Sequence, residues 1–139
     1  MRVTADTNVV VSGLFWRGNP RRVPDAARDG IIELYTTATL LKELEDVLKR
    51  EKFEKRLSAA TVTIRELVDG YASLTTVVDV LSVPTVVLRD PDDDEVIACA
   101  VAAECELIVS GDDDLLSLKQ HKEIRILTSA ELLIELQLI

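Results

Sequence analysis

Residues 89–116 read RDPDDDEVIACAVAAECELIVSGDDDLL. Apolar residues spaced three and four apart predict a helix over 93–105, and the β-branched run ELIVS at 106–110 predicts a buried strand directly after it. Three acids in a tight turn, Asp112 to Asp114, close the strand and precede another helix. A helix feeding a buried strand that ends in acids is one unit of an α/β domain. Outward from this unit, similar runs recur at MRVTAD (1–6), IIELYT (31–36), TTVVDV (75–80) and IRIL (124–127). Between and after them, 20–29, 37–57, 60–73 and 129–138 carry helical spacing. The expectation is a three-layer α/β/α domain with a central parallel sheet. Pro20 and Pro24 mark a helix entry, Gly30 and Gly70 fit helix ends, and Pro84 and Pro91 punctuate the approach to the helix at 93.

The chain has 139 residues, which suits a single domain over 1–139. With 47% apolar and only 4% aromatic residues, its core must be built from Val, Leu, Ile and Ala. No run approaches the roughly 20 apolar residues that span a bilayer, and the N-terminus runs directly into Asp6 without a signal-peptide pattern. A cytoplasmic protein with no membrane partner is expected. Cys99 and Cys105 are the only cysteines, too few for a disulfide framework or a zinc knuckle, and read as reduced core residues. The one histidine, His121, sits in a polar stretch and reads as a surface residue. Catalysis by Ser–His–Asp or Cys–His therefore lacks its parts.

The net charge of −9 argues at first against a nucleic-acid partner. The charge is divided unevenly. Residues 1–75 carry 12 basic and 11 acidic side chains, whereas 76–139 carry 4 and 14. Within the first half, KREKFEKR places Lys49, Arg50, Lys52, Lys55 and Arg56 in eight positions, a candidate surface for an RNA backbone or an ordinary solvated helix face.

Open parallel sheets bind ligands beyond the C-terminal ends of their strands, and the acids fall there. Asp6 ends the first strand, where a buried carboxylate needs a partner: a metal ion, or the next helix start at Thr7 or Asn8, which it could cap. In TLLKELEDVLKR, residues 39–50, Glu43 lies on the edge of the apolar stripe while Glu45 and Asp46 point to solvent. In the run 90–95, Asp92 with Glu95 makes a capping box. Spacing leaves Asp93 and Asp94 open; helical phase favours Asp94, on the face of Ile97, Ala98, Val101 and Cys105. Asp112 leads the third group, with Ser110 able to hydrogen-bond a ligand carboxylate. Such oxygen-only clusters suit Mg²⁺ or Mn²⁺, and these ions serve phosphate chemistry by polarising the phosphate and activating water.

Four blocks in order, DTNVVVSGL (6–14), LLKELEDVL (40–48), the stretch at 89–116 and ILTSAELL (126–133), resemble the PIN domains, in particular the VapC-like toxins of type II toxin–antitoxin pairs. That resemblance implies metal-binding, catalytic acids at Asp6, Glu43, Asp94 and Asp112, support from Asn8 and Ser110, and a further acid in Asp114. It also implies a Mg²⁺- or Mn²⁺-dependent endoribonuclease acting on RNA, a homodimer, and a protein antitoxin that blocks the site. The competing readings are a non-catalytic module that binds RNA or an antitoxin around a structural ion, and a phosphatase or phospho-acceptor domain. The latter needs a second Asp two residues after its nucleophile, where this chain has Asn8, and a suitably placed Lys, which does not follow LIVS closely.

Overall fold

A computed structural model describes residues 1–15, 18–83 and 91–139. Among the described residues, six strands form one sheet: β1 (Arg2–Ala5), β2 (Glu33–Thr36), β3 (Thr76–Val77), β4 (Leu107–Val109), β5 (Gln120–His121) and β6 (Ile124–Leu127). Their order is β3-β2-β1-β4-β6-β5. All pairs are parallel except β5–β6. The helices among the described residues are α1 (Thr7–Phe15), α2 (Asn19–Arg28), α3 (Ala38–Leu48), α4 (Glu54–Ala60), α5 (Ile64–Leu74), α6 (Pro91–Ala102), α7 (Asp113–Leu118) and α8 (Ser129–Glu135), with a 3₁₀ turn at Glu51–Phe53.

Alternation along each strand divides the core in two. Val3, Ala5, Leu34, Leu107 and Val109 face α1, α2, α3, α5 and α8, packing with Val10, Val23, Leu44, Leu48 and Leu132. Tyr35, Ile108, Ile124 and Ile126 face α6 and α7, packing with Val96, Ile97, Cys99, Ala100 and Leu115. Helices therefore cover both faces of the sheet, in the expected three layers. The central strands β1 and β4 are buried on both faces, which is why they read as near-continuous apolar runs. Thr4 is a fully buried polar residue of β1; its hydroxyl meets the sulfur atoms of Cys99 at 3.5 Å and Cys105 at 3.3 Å.

The chain departs from the expected elements at identifiable places. The segment 37–57 is not one helix: α3 stops at Leu48, and Arg50 is extended at φ −63°, ψ 141°. The break turns Phe53 inward to stack on Phe15, with centroids 5.0 Å apart. The helix expected over 60–73 begins later, at Ile64 behind a Thr63–Glu66 capping box, and α8 is shorter than 129–138. Gly70 lies inside α5, whereas Gly30 follows α2 with φ +75°. The β5–β6 hairpin adds an antiparallel edge, and α1 begins at Thr7, one of the two helix starts expected after Asp6, although its apolar run VVVSGLF shows no helical period. Pro84 and Asp90 lie outside the described residues.

The chain goes from β1 outward to β2 and β3, then returns to the other side of β1 for β4. The switch in direction lies between β1 and β4, and in open α/β sheets the crevice beyond such a point is where ligands bind.

Candidate metal centre

Asp6 follows β1 at this crevice and is 4% exposed. One carboxylate oxygen, Oδ1, accepts the Val9 N–H at 2.9 Å, so Asp6 does cap α1. Its other oxygen accepts a short hydrogen bond from the Ser110 hydroxyl just beyond β4. Ser110 Oγ in turn accepts the Asp112 N–H at 2.9 Å, tying the two strand ends together. Burial pushes the Asp6 carboxyl above its ordinary range; the bonds from Ser110 and Val9 oppose this, and the neighbouring Asp112 charge adds to it. The cap and the site are thus compatible, because each carboxylate oxygen retains a further lone pair.

Glu43 projects from α3, half-buried, and Thr7 Oγ1 donates to its Oε2 at 2.9 Å. Its acidic neighbours behave differently: Glu45 pairs with Lys49 at 3.0 Å and Asp46 with Lys42 at 3.1 Å, both toward solvent. Asp112 caps α7, its Oδ1 accepting from Asp114 N at 2.8 Å and Leu115 N at 3.2 Å.

Asp6, Thr7, Asn8, Glu43, Asp92, Asp93, Val96 and Asp112 enclose one small cavity of about 40 Å³, room for an ion and little more. Carboxylate oxygens of Asp93, Asp112 and Asp114 lie within 4.8 Å of one another. Asp93 and Asp112 belong to both groups. Asp94 is buried but does not line the cavity; the first turn of α6 presents Asp93 there instead. Helical phase cannot separate the two, because α6 is buried nearly all round, from Val96 through Ala100, while Val101, taken as part of the inner stripe, is 37% exposed. Of the acids singled out in the sequence, the fold brings together Asp6, Glu43, Asp112 and Asp114, with Asn8 and Ser110 beside them. Thr7, which orients Glu43, was missed; its only signal was a hydroxyl directly after Asp6.

The donor set fits a hard divalent cation. It consists of carboxylate oxygens without imidazole or thiolate, the set preferred by Mg²⁺ and Mn²⁺ over zinc or copper. His121 sits in the edge strand β5. Cys99 and Cys105 are buried free thiols, and burial pushes both upward, Cys99 to about 11. The basic residues Lys49, Arg50, Lys52, Lys55 and Arg56 are exposed beyond the C-terminal end of α3. Lys49 is engaged by Glu45, Lys52 lies 5.1 Å from the Phe53 ring centroid, and Arg56 reaches the Phe15 carbonyl at 3.5 Å.

The switch point of this α/β sheet is lined by carboxylates from the residue after β1, from α3, from α6 and from the β4–α7 turn, an arrangement that could hold a metal ion. The chain belongs to the PIN domain family, whose model matches residues 2–114. Among solved structures it is similar to a chain of the VapBC2 complex from Rickettsia felis, solved bound to a DNA fragment from their promoter. That match has a TM-score of 0.60 at 14% identity and covers 91% of this chain and 97% of that one. No curated relative matches the sequence. Among the described residues, no helix is long and apolar enough to cross a membrane.

Proposed function

We propose that this protein is a Mg²⁺- or Mn²⁺-dependent endoribonuclease, the toxin of a type II toxin–antitoxin pair. The observation that carries the reading is the convergence of Asp6, Glu43, Asp93 and Asp112, from four separate places in the chain, on one ion-sized cavity at the topological switch point. Asp93 and Asp112 would hold the ion, with Asp114, Asp6 and Glu43 completing its surroundings. The bound ion supplies charge neutralisation at a phosphodiester and activation of water. The protein's own contribution is positioning. Ser110 fixes the Asp6 carboxylate and the start of α7 through one hydroxyl, and Thr7 fixes Glu43. Asn8, exposed at the rim of the cavity, offers a neutral amide to the substrate.

The charge pattern supports the same reading. The ion offsets the acidic second half, and Lys49 through Arg56 would hold the RNA backbone. Family membership and the fold shared with a chain of VapBC2 support a protein antitoxin as partner, and the toxin reading carries with it a homodimer in the cytoplasm. The test is cleavage of a labelled single-stranded RNA by the purified protein. Cutting in Mg²⁺ or Mn²⁺ that stops on chelation is expected. Undiminished cutting in excess EDTA contradicts the metal mechanism, and no cutting with any divalent ion leaves a PIN-fold binding module.

A further inference from the structure

Beside the acid cavity lies a second pocket of different chemistry, with a volume of about 390 Å³. Asn8 and Ser12 of α1, Asn19 at the start of α2, Ser110 after β4, and Thr128 and Ser129 at the start of α8 supply its polar wall. Among the described residues, no charged side chain lines it. The two cavities are contiguous through Asn8, which lines both, and through Ser110, whose hydroxyl binds Asp6.

Ser110 and Thr128 are committed within the protein, the latter to the Glu131 N–H. Among the described residues, the side chains of Asn8, Ser12, Asn19 and Ser129 make no hydrogen bond to any other group. Ser129 is the most informative, since it is 7% exposed and its hydroxyl is still unused. Buried polar groups are normally paired, so the uncommitted Ser129 in this wall, beside half-buried Ser12 and Asn19 and exposed Asn8, points to a polar occupant. The walls are preformed. A Cβ on Gly13 would lie 2.9 Å from the Pro20 carbonyl oxygen, so only glycine lets α1 seat this closely against the first turn of α2.

Size and chemistry narrow the occupant. The volume sits at the lower end of small-molecule sites. Amides and hydroxyls both donate and accept, as base edges and ribose hydroxyls require, whereas a phosphate pairs most strongly with cations, which the described residues of this wall lack. We infer that this pocket receives the base and ribose of the nucleotide adjoining the scissile phosphate, and so biases which RNA positions are cut. The inference rests on the ribonuclease reading above for its consequence, and on the pocket alone for nucleoside binding.

The test uses the full chain labelled with ¹⁵N and titrated by NMR with adenosine, guanosine, cytidine and uridine, with inorganic phosphate as a parallel probe. At millimolar concentration at least one nucleoside should shift the Asn8 and Asn19 side-chain amides and the Ser12 and Ser129 backbone signals. Phosphate should not. Asn19→Ala and Ser12→Ala should each weaken that nucleoside about tenfold, one hydrogen bond's worth, with the rest of the spectrum unchanged. Ser129→Ala, which keeps the α8 capping box, is a third variant should either of these disturb the fold. In a randomised RNA pool the same variants should flatten the base preference next to the cut. Shifts from phosphate alone, or from no nucleoside, overturn the inference even if RNA is cut. Nucleoside shifts in a protein that cuts no RNA overturn the ribonuclease reading and leave the nucleoside site standing.

Discussion

Asp93→Asn and Asp94→Asn form a matched pair: both residues are buried neighbours in the first turn of α6, and only Asp93 lines the acid cavity. In the metal-free protein, Asp93 faces Asp112 and Asp114 with oxygens within 4.8 Å. Two like charges at that separation repel by about 3.5 kcal/mol at an effective dielectric of about 20, and by about 0.9 kcal/mol in water. Asp112 and Asp114 are part-exposed, so the lower end applies, and neutralising Asp93 should relieve on the order of 1 kcal/mol. For a chain of this size that is a rise in Tm of roughly 3–5 °C without metal. With Mg²⁺ the order reverses. At a concentration a hundredfold above Kd, the ion stabilises wild type by about 2.7 kcal/mol, and a tenfold weaker site retains only about 1.4. Differential scanning calorimetry with and without Mg²⁺, beside RNA cleavage rates, reads both effects. Asp93→Asn should melt higher in EDTA, gain less from Mg²⁺ and cut poorly, while Asp94→Asn keeps the wild-type Mg²⁺ increment and rate. A full Mg²⁺ increment and full activity in Asp93→Asn, or their loss in Asp94→Asn alone, would refute the placement of α6.

Three further outcomes follow from other parts of the fold. Replacing Lys49, Arg50, Lys52, Lys55 and Arg56 with Gln should weaken RNA binding and lower the slope of log affinity against log salt by roughly 0.7 per lost contact; an unchanged slope shows a merely solvated surface. Thr7→Val removes the 2.9 Å bond to Glu43 and should slow cleavage about tenfold while Tm moves little, which cleavage kinetics and calorimetry check together. Cys99, raised to about 11, stays a neutral thiol at pH 8 and should react with a thiol reagent only on unfolding. Because its folded value lies above the unfolded one, its contribution to stability is intact below about pH 9 and is lost as pH rises through about 11, which urea melts at increasing pH would register.

The sheet was legible because its central strands are buried on both faces and so appear as β-branched runs, and the strand-end rule then located Asp6 and Asp112. Glu43 was legible because it alone among the acids of α3 lies at the edge of the apolar stripe. What stayed hidden has physical causes. In α1, VVVSGLF is apolar without period, since Val9, Val10 and Val11 are all buried. The strand β5 is polar and held only by β6 at an edge. The ambiguity at Asp93 and Asp94 arose because a helix buried nearly all round carries no amphipathic phase to read. The neutral pocket left no motif, because Ser12, Asn19 and Ser129 meet only once α1, α2 and α8 are packed.

Anomalous scattering from Mn²⁺-soaked crystals shows whether the carboxylates gathered by the fold hold a divalent ion. One or two anomalous peaks are expected in the acid cavity, bonded to the carboxylates of Asp93 and Asp112 at roughly 2.0–2.3 Å. A cavity without a peak at saturating Mn²⁺, or a peak bonded to Asp94 in place of Asp93, would contradict this expectation.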